Sequence, residues 1–393
     1  MFAPVYLDHN ATTPLDPRVL EAMLPYLSER FGNASSRHEY GRAARMAIDE
    51  ARGQVAAAVG AHPTEVIFTG SGSEANNLFL KGAAACLKPG VLAVSAVEHP
   101  SMREPARDLA RQGWRLQEIG VDGQGRISAA AYREALAAKP RLVSVILANN
   151  ETGVLQPVDE IGKIAAEAGV FFHIDAVQGA GKVPFDVRRF RCHLLSISAH
   201  KMHGPKGVGA LFVRRGTPLE SMIVGGSHER RRRAGTENVP GIVGLARAAE
   251  LAMHSLADGT LDRVASLRDR LETELLSLPG TGLNGSGTDG KPVPRAANTS
   301  NIWFDQLEGE ALVIALDLKG VAVSGGSACH SGATEPSHVL MAMGLDKNRA
   351  RASLRFSLLK TATEADVDHV LRVVPEAVEQ LRALSPVAAG TLG

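Results

Sequence analysis

The feature that most constrains the fold of this chain is a regular alternation of short apolar segments and amphipathic segments between residues 65 and 213. The run 142–147, Leu-Val-Ser-Val-Ile-Leu, is almost entirely apolar, as expected for a strand covered on both faces. The alternation predicts an α/β domain whose largely parallel sheet lies between helices. The predicted strands are 66–69, 91–95, 142–147, 170–175, 194–198 and 209–213, and the predicted helices include 74–85 and 159–168.

A different pattern begins near residue 242. Residues 242–278 predict a long helix with one break at Asp258-Gly259, and a turn-rich stretch follows at 280–297. Strands are expected near 299–304 and 352–357, with helices between and after them. Because 393 residues exceed one ordinary core, we expect two domains. The predicted large α/β domain spans 15–257, and the predicted small α+β domain combines 1–14 with 258–393.

Charge balance and cysteine content argue against several functional classes. Lysine and arginine number 43 against 42 aspartate and glutamate, so the net charge does not favour nucleic acid or an anionic membrane as a partner. No apolar run is long enough to span a bilayer, and residues 1–8 lack the pattern of a signal peptide. The three cysteines, Cys86, Cys192 and Cys329, form no CxxC pair. We therefore expect a protein of the reducing cytoplasm.

Two polar segments follow predicted strands, where an α/β sheet places its ligands. The turn 69–74, Thr-Gly-Ser-Gly-Ser-Glu, can bring backbone N–H groups and a helix dipole close to a phosphate, although an ordinary helix cap would use the same residues. Asp175 ends an apolar strand, and Gln178 follows three residues later. A carboxylate buried there needs a partner. A protonated pyridine nitrogen, an arginine or a backbone cap would each serve.

Lys201 lies directly after another predicted strand, in the loop 198–207, Ser-Ala-His-Lys-Met-His-Gly-Pro-Lys-Gly. A solvated surface charge is a poor explanation for a lysine at this place. Desolvation would favour the neutral, nucleophilic amine that a Schiff base requires. The competing interpretation is a zinc site through His200 and His203, but no third ligand is nearby, and the lysine between them would repel a cation. The Schiff base is the favoured prediction.

Cys329 lies in the segment 323–332, Val-Ser-Gly-Gly-Ser-Ala-Cys-His-Ser-Gly. Free cysteines are usually buried small apolar residues, and this is the expectation for Cys86 and Cys192. A loop of glycine and serine with a histidine beside the thiol favours an accessible and mobile cysteine instead. The sequence therefore predicts a reactive thiol at position 329.

Together these segments resemble the cysteine desulfurases of the NifS and IscS type, which are fold-type I pyridoxal-phosphate (PLP) enzymes of the class-V aminotransferase family. The resemblance extends from 6–14, Tyr-Leu-Asp-His-Asn-Ala-Thr-Thr-Pro, to 354–357, Leu-Arg-Phe-Ser. Its most specific markers are Ala-His-Lys at 199–201, Arg-Ala-Gly-Thr at 233–236 and Ser-Ala-Cys at 327–329. The long segment around Cys329, followed by Glu-Pro-Ser-His at 335–338, is similar to the first of the family's two groups.

The resemblance implies a role for each matching residue. Lys201 would bind PLP covalently, Asp175 would pair with the pyridinium nitrogen, and His99 would stack on the ring and assist proton transfer. Arg355, helped by Asn33, would clamp the substrate carboxylate. The other implied cofactor ligands are Gly72, Ser73, Asn150, Gln178, Ser198, His200 and, from a second subunit, Thr236, which implies a homodimer. Gly72 departs from the family's usual threonine or serine pattern and can offer only its backbone.

The implied reaction converts L-cysteine to L-alanine and leaves the sulfur on Cys329 as a persulfide, without a metal. The implied recipient is a sulfur-acceptor or iron–sulfur scaffold protein, and direct binding to nucleic acid or membrane is not expected. Acceptors in iron–sulfur cluster assembly, nitrogenase maturation and tRNA thiolation all fit these motifs. The alternatives are a selenocysteine lyase, another PLP-dependent lyase or aminotransferase of the same fold, and a sulfur carrier without catalytic activity.

Overall fold

A computed structural model describes residues 4–287, 293–325 and 335–384. Its strands are β1 Val5–Tyr6, β2 Val66–Thr69, β3 Val91–Ser95, β4 Arg115–Ile119, β5 Leu142–Ile146, β6 Phe171–Asp175, β7 Leu194–Ser198, β8 Gly209–Val213, β9 Thr281–Leu283, β10 Thr299–Phe304, β11 Val321–Ala322, β12 Ser324–Gly325 and β13 Ser353–Ser357. Its helices are α1 Pro17–Ser28, α2 Glu39–Val59, α3 Gly72–Ala85, α4 Pro100–Arg111, α5 Ala129–Ala137, α6 Val158–Ala168, α7 Val187–Phe190, α8 Val239–Ala257, α9 Thr260–Leu276, α10 Gly309–Leu318, α11 His338–Ala342, α12 Lys347–Arg351 and α13 Glu364–Leu384.

The larger sheet has seven strands in the order β2-β8-β7-β6-β5-β3-β4. Strand β8 is antiparallel to both of its neighbours, whereas the pairs from β7 to β4 are parallel. One face packs against α3 and α4 through Phe79 and Met102, and the other packs against α2, α6 and α8 through residues such as Ile48 and Leu245. The predicted α/β fold, with a largely parallel sheet between helices, is confirmed.

Strand β4 was not predicted. It lies at the edge of the sheet, pairs only with β3 among the described strands, and exposes several of its residues. Its sequence, Arg-Leu-Gln-Glu-Ile, is therefore more polar than that of a central strand.

A smaller antiparallel sheet has the order β12-β13-β10-β9, and β1 pairs with β11 beside it. Helices α9, α10 and α13 cover this sheet with a second apolar core. Strand β9 falls inside the segment expected to be rich in turns and was not predicted, because its three residues lack an apolar run. The predicted helix break is present, since Asp258 and Gly259 separate α8 from α9. The domain limits themselves remain a prediction.

The parallel strands position the site. Because β5, β6 and β7 run in the same direction, their carboxyl ends meet at one edge of the sheet. Asp175 ends β6, and Ser198 ends β7 three residues before Lys201. In the part of the chain that the structure describes, every helix is too short or too polar to cross a bilayer.

Candidate active site

A cavity of about 530 Å³ lies at this edge of the seven-stranded sheet. Its walls come from the loops after β2, β3, β5, β6 and β7, from strand β13 and from the residues that precede α11. Ten of the predicted site residues line it: Gly72, Ser73, His99, Asn150, Asp175, Gln178, Ser198, His200, Lys201 and Arg355. The structure therefore brings together residues that are up to 283 positions apart in the sequence, counted from Gly72 to Arg355.

The Lys201 amine is held by the amino-terminal segment. Its Nζ donates to the backbone oxygens of Asn10 at 2.6 Å and Ala11 at 2.8 Å. The Asn10 side chain donates to Thr299 Oγ1 at 2.9 Å and to the Asn150 carbonyl at 3.2 Å. Asn10 thus links both sheets to the reactive lysine. Sequence reasoning placed Asn10 in a family motif without giving it a role.

Gly72 is the first residue of α3, and Ser71 caps that helix by accepting from Glu74 N at 3.1 Å. A Cβ atom at position 72 would lie 2.8 Å from Val177 Cγ2 and 3.3 Å from Ser198 Cβ. The close approach of three chain segments therefore requires glycine here. The amino end of a helix at a cavity wall is a favourable place for a phosphate.

Asp175 is connected to His99 by a short chain of hydrogen bonds. The Asn76 amide nitrogen donates to Asp175 Oδ2 at 2.8 Å and to Ser101 Oγ at 2.9 Å, and Ser101 Oγ lies 2.8 Å from His99 Nδ1. Asp175 Oδ1 accepts from Val177 N at 3.0 Å. These donors are neutral, and a buried carboxylate that lines a cavity is suited to pair with a cation bound there.

His99 is a neutral imidazole near pH 7, because burial lowers its pKa. Its Nδ1 accepts from Ser101 N at 3.1 Å, so Nε2 carries the proton. Asn76 and Ser101 were missed by sequence reasoning. The available signal for Asn76 was a polar residue on the apolar face that α3 forms with Ala75, Leu78 and Phe79.

The two histidines beside Lys201 make separate contacts. His200 Nδ1 lies 3.2 Å from Thr12 Oγ1, and His203 Nδ1 lies 3.2 Å from the Pro14 carbonyl. Burial and neighbouring lysine charges lower the pKa of His200 to about 4. Within residues 4–287, 293–325 and 335–384, no group of three His, Cys, Asp or Glu side chains is arranged to hold a metal ion.

Gln178 is bound to a second buried lysine that the sequence did not single out. Its Nε2 donates to the Asn10 carbonyl at 2.7 Å, and its Oε1 accepts from Lys182 Nζ at 2.6 Å. Burial lowers the pKa of Lys182 well below its ordinary value, with further lowering by the charges of Lys201 and Arg355. Lys182 Nζ also donates to Asn10 Oδ1 at 2.9 Å, so this lysine fixes both Gln178 and Asn10.

Arg355 lies on β13 and lines the cavity. Its Nη2 donates to Asp8 Oδ1 at 2.6 Å, and its Nη1 donates to the Asn150 carbonyl at 2.9 Å. Its Nε is buried and has no partner among the described residues. A guanidinium at the wall of a cavity is suited to bind a carboxylate.

Two predicted residues lie away from the cavity, and a third is not in the part of the chain that the structure describes. Asn33 and Thr236 are exposed and do not line the cavity of this protomer, and Cys329 falls outside the described residues. Cys192 is fully buried, and burial raises its pKa to about 12, so it matches the expectation of an inert core thiol. Cys86 is only half-buried at the end of α3, so the expectation of full burial was wrong there.

Known proteins share this architecture along nearly the whole chain. The model of the class-V aminotransferase family matches residues 5–370. Cysteine desulfurase 2 of Trichormus variabilis is 47% identical over 384 residues, which cover 97% of this chain and 95% of that relative. A solved NifS-like protein has a TM-score of 0.89 and 35% identity, covering 96% of this chain and 100% of its own.

The solved structure of SspA in complex with cysteine has a TM-score of 0.79 and 34% identity, covering 90% of this chain and 98% of its own. These likenesses confirm the family predicted from the motifs. The chain belongs to the class-V aminotransferase family, within the cysteine desulfurases.

Proposed function

We propose that this protein is a PLP-dependent cysteine desulfurase that converts L-cysteine to L-alanine and transfers the sulfur to Cys329. The observation that carries the proposal is the placement of the Lys201 amine, the Asp175 carboxylate and the Arg355 guanidinium around one cavity. A nucleophilic amine, a partner for a ring nitrogen and a carboxylate ligand are the groups that PLP chemistry on an amino acid requires.

The residues of this cavity fit PLP. The α3 amino end at Gly72, with Ser73, Ser198 and His200, would hold the phosphate, and Asp175 would pair with the ring nitrogen. Asn150 and Gln178 would bind the phenolate side, and Lys201 would attach the cofactor covalently. When bound, PLP supplies an electron sink at the substrate carbon.

Three side chains of the protein would then have separate roles toward the substrate. Arg355 holds the carboxylate of cysteine and so fixes the orientation of its α-carbon relative to Lys201. The Lys201 amine removes the proton from that carbon. His99, whose Nε2 carries a proton, lines the same cavity and assists proton transfer.

The sulfur step is balanced without an external oxidant or reductant. The Cys329 thiolate attacks the sulfur of the substrate, a new S–S bond forms, and the C–S bond of the substrate breaks. The electron pair of the C–S bond passes to the substrate carbon, which takes up a proton and becomes the methyl group of alanine. Cysteine plus thiol therefore give alanine plus persulfide.

We also propose a homodimer, because two predicted ligands lie on one surface outside the cavity. Arg45 donates to the Ala34 carbonyl at 3.4 Å and to Glu237 Oε1 at 2.6 Å, so it joins the loops of Asn33 and Thr236. Near Asn33 in the sequence, the exposed Phe31 and Tyr40 rings contact each other with centroids 5.7 Å apart, and other apolar side chains are also exposed, namely Leu24, Leu27, Met46 and Val224. A second copy would cover these side chains and bring Thr236 to a phosphate.

A sulfur-acceptor or iron–sulfur scaffold protein in the cytoplasm would receive the persulfide sulfur. Its identity is best tested by co-purification with the PLP-loaded protein. A scaffold that copurifies with wild type and takes up sulfur from Cys329 would support iron–sulfur assembly as the pathway.

Lys201→Ala and Cys329→Ala, compared with wild type, test the proposal. Lys201→Ala should abolish the visible absorption of bound PLP, whereas Cys329→Ala should keep it and lose persulfide formation. Alanine formed from cysteine and from selenocysteine should be compared in the same assay. A Cys329→Ala protein that releases sulfide from cysteine at the wild-type rate would show that the sulfur assignment is wrong.

A further inference from the structure

Cys329 belongs to the segment 326–334, which is outside the described residues. The described residues on both sides of this segment lie close to the cavity. Upstream, β12 pairs with β13 in a register that places Ser324 opposite Arg355. Downstream, the residues before and at the start of α11 form part of the cavity wall: Glu335, Pro336, Ser337 and His338. The contacts of these four residues therefore fix where the chain leaves the Cys329 segment.

Glu151 binds the downstream end through Ser337. The Ser337 hydroxyl donates to Glu151 Oε2 at 2.5 Å. Ser337 is also the N-cap of α11, because its Oγ accepts from Leu340 N at 3.2 Å. Glu151 is 6% exposed and Ser337 is 3% exposed, so water does not compete for this contact.

A second contact binds the start of α11 to the loop after β3. His338 Nε2 donates to the Glu98 carbonyl at 2.9 Å, and Glu98 directly precedes His99. Glu151 directly follows Asn150, and its backbone is fixed because its N–H donates to Asn149 Oδ1 at 2.9 Å. The start of α11 is thus held by the neighbours of two predicted site residues.

The charge of Glu151 depends on its surroundings. Burial raises the pKa of this carboxyl to about 7, while the Ser337 hydrogen bond and the Arg355 charge lower it. Arg355 is itself paired with Asp8. The other ionisable groups that line the cavity are His99, Arg103, Glu104, Arg107, Asp175, His200, Lys201, Glu335 and His338.

We propose that Glu151 is a positioning residue that sets the rate of sulfur transfer to Cys329 by fixing the start of α11 through Ser337. The inference rests on the proposed function. No bond forms or breaks at Glu151 during transfer. Its ionised carboxylate holds the Ser337 hydroxyl firmly, and its protonated form holds it weakly. Loss of this hydrogen bond should therefore slow the formation of the Cys329 persulfide and leave the affinity for PLP unchanged.

Two variants of the full-length, PLP-loaded protein test this role: Glu151→Gln and Ser337→Ala. Each is mixed with one equivalent of L-cysteine, and the persulfide on Cys329 is followed over time by alkylation and mass spectrometry, from about pH 6 to about pH 9. PLP affinity and visible absorption are measured separately. Ser128→Ala is the matched control, since Ser128 caps α5 by accepting from Ala131 N at 3.1 Å and does not line the cavity.

We expect both variants to keep the PLP affinity of wild type and to form the Cys329 persulfide about tenfold more slowly, the loss that corresponds to one charge-assisted hydrogen bond. The wild-type rate should show a rise near pH 7 that Glu151→Gln lacks, in addition to the titration of the thiol. Ser128→Ala should match wild type in rate and pH profile.

A wild-type rate and pH profile in Glu151→Gln would overturn the inference, as would an equal loss in Ser128→Ala and Ser337→Ala. A parallel loss of PLP affinity in both variants would also overturn it, because Glu151 would then support the cofactor. If wild type itself formed no persulfide from cysteine, the proposed function would fail instead.

Discussion

The two walls of the cavity are built in different ways. On the sheet wall, Asp175 and Lys201 are placed by the ends of parallel strands, and Asp175 is held by neutral donors. The other wall, called the opposite wall below, includes Arg355 on β13, which is paired with Asp8, and the Glu151 side chain, which is bound to Ser337; these partners are distant in the sequence. These contacts involve ionisable groups.

The difference indicates a division of labour. The strand register fixes the sheet wall, and a fixed wall suits a cofactor whose ring and phosphate must not move. The opposite wall depends on hydrogen bonds made by ionisable side chains, and burial raises the pKa of one of them, Glu151, to about 7. Substitutions on the sheet wall should therefore affect cofactor chemistry, and those on the opposite wall should affect the substrate and the sulfur.

The largest effect should come from Asp175→Asn. The variant should still take up PLP through Lys201, but it can no longer favour the protonated ring nitrogen. We expect the rate of alanine formation to fall roughly 100- to 1,000-fold, as for other losses of a group that stabilises developing charge. The measurement is kcat for alanine together with the absorption spectrum. An unchanged kcat would show that Asp175 does not support PLP chemistry through the ring nitrogen.

Arg355→Lys should sharpen the contrast between the walls. Lysine keeps the positive charge but cannot form a bidentate pair with the substrate carboxylate. We expect KM for cysteine to rise about 10- to 100-fold, with PLP affinity unchanged, since the lost interaction amounts to roughly 1.5–3 kcal/mol. Titration with cysteine and with PLP separates the two outcomes. A weakened PLP affinity with an unchanged KM would reverse the assignment of this wall.

Asn76→Ala should have a smaller effect on the sheet wall. It removes a donor to Asp175 and the link to Ser101, so kcat should fall about tenfold. Asn77→Ala is the matched control, because the Asn77 amide donates to the Ser73 carbonyl of its own helix. Equal losses in the two variants would mean that helix α3, and not the link to His99, is what matters.

The smallest expected effect is on the pH dependence of the free energy of unfolding, through Glu151 of the opposite wall. Burial raises the folded-state pKa of Glu151 from 4.5 to about 7. The resulting stabilisation is fully present below about pH 4.5 and is lost as the pH rises through 7. Glu151→Gln should therefore reduce the loss of stability between pH 5 and pH 8 by about 1–3 kcal/mol. Denaturant unfolding at both pH values measures this, and an unchanged pH dependence would contradict the burial argument.

The sequence predicted the sheet wall better than the opposite wall, for a physical reason. Asp175 and Lys201 each end or follow an apolar strand, and parallel strands bring such residues to one edge. The contacts of Glu151 with Ser337 and of Arg355 with Asp8 join residues 186 and 347 positions apart. No periodicity in the chain encodes such pairs. Asn10 and Lys182 were missed for the same reason, since their roles arise where the two sheets meet.

The family resemblance, and not the spacing of residues, pointed to Arg355, Asn33 and Thr236. Arg355 does line the cavity. The roles of Asn33 and Thr236 remain predictions that depend on a second subunit. Measuring the oligomeric state of wild type in solution, together with PLP affinity in Thr236→Ala, would test them.

The most direct test of the central claim follows the sulfur atom. Wild-type protein loaded with PLP is given one equivalent of L-cysteine, and every cysteine-containing peptide is weighed. We predict the mass of one added sulfur atom on the peptide of Cys329, an equal amount of alanine, and unmodified peptides of Cys86 and Cys192. Sulfur on Cys86 or Cys192, or a keto acid in place of alanine, would contradict the account.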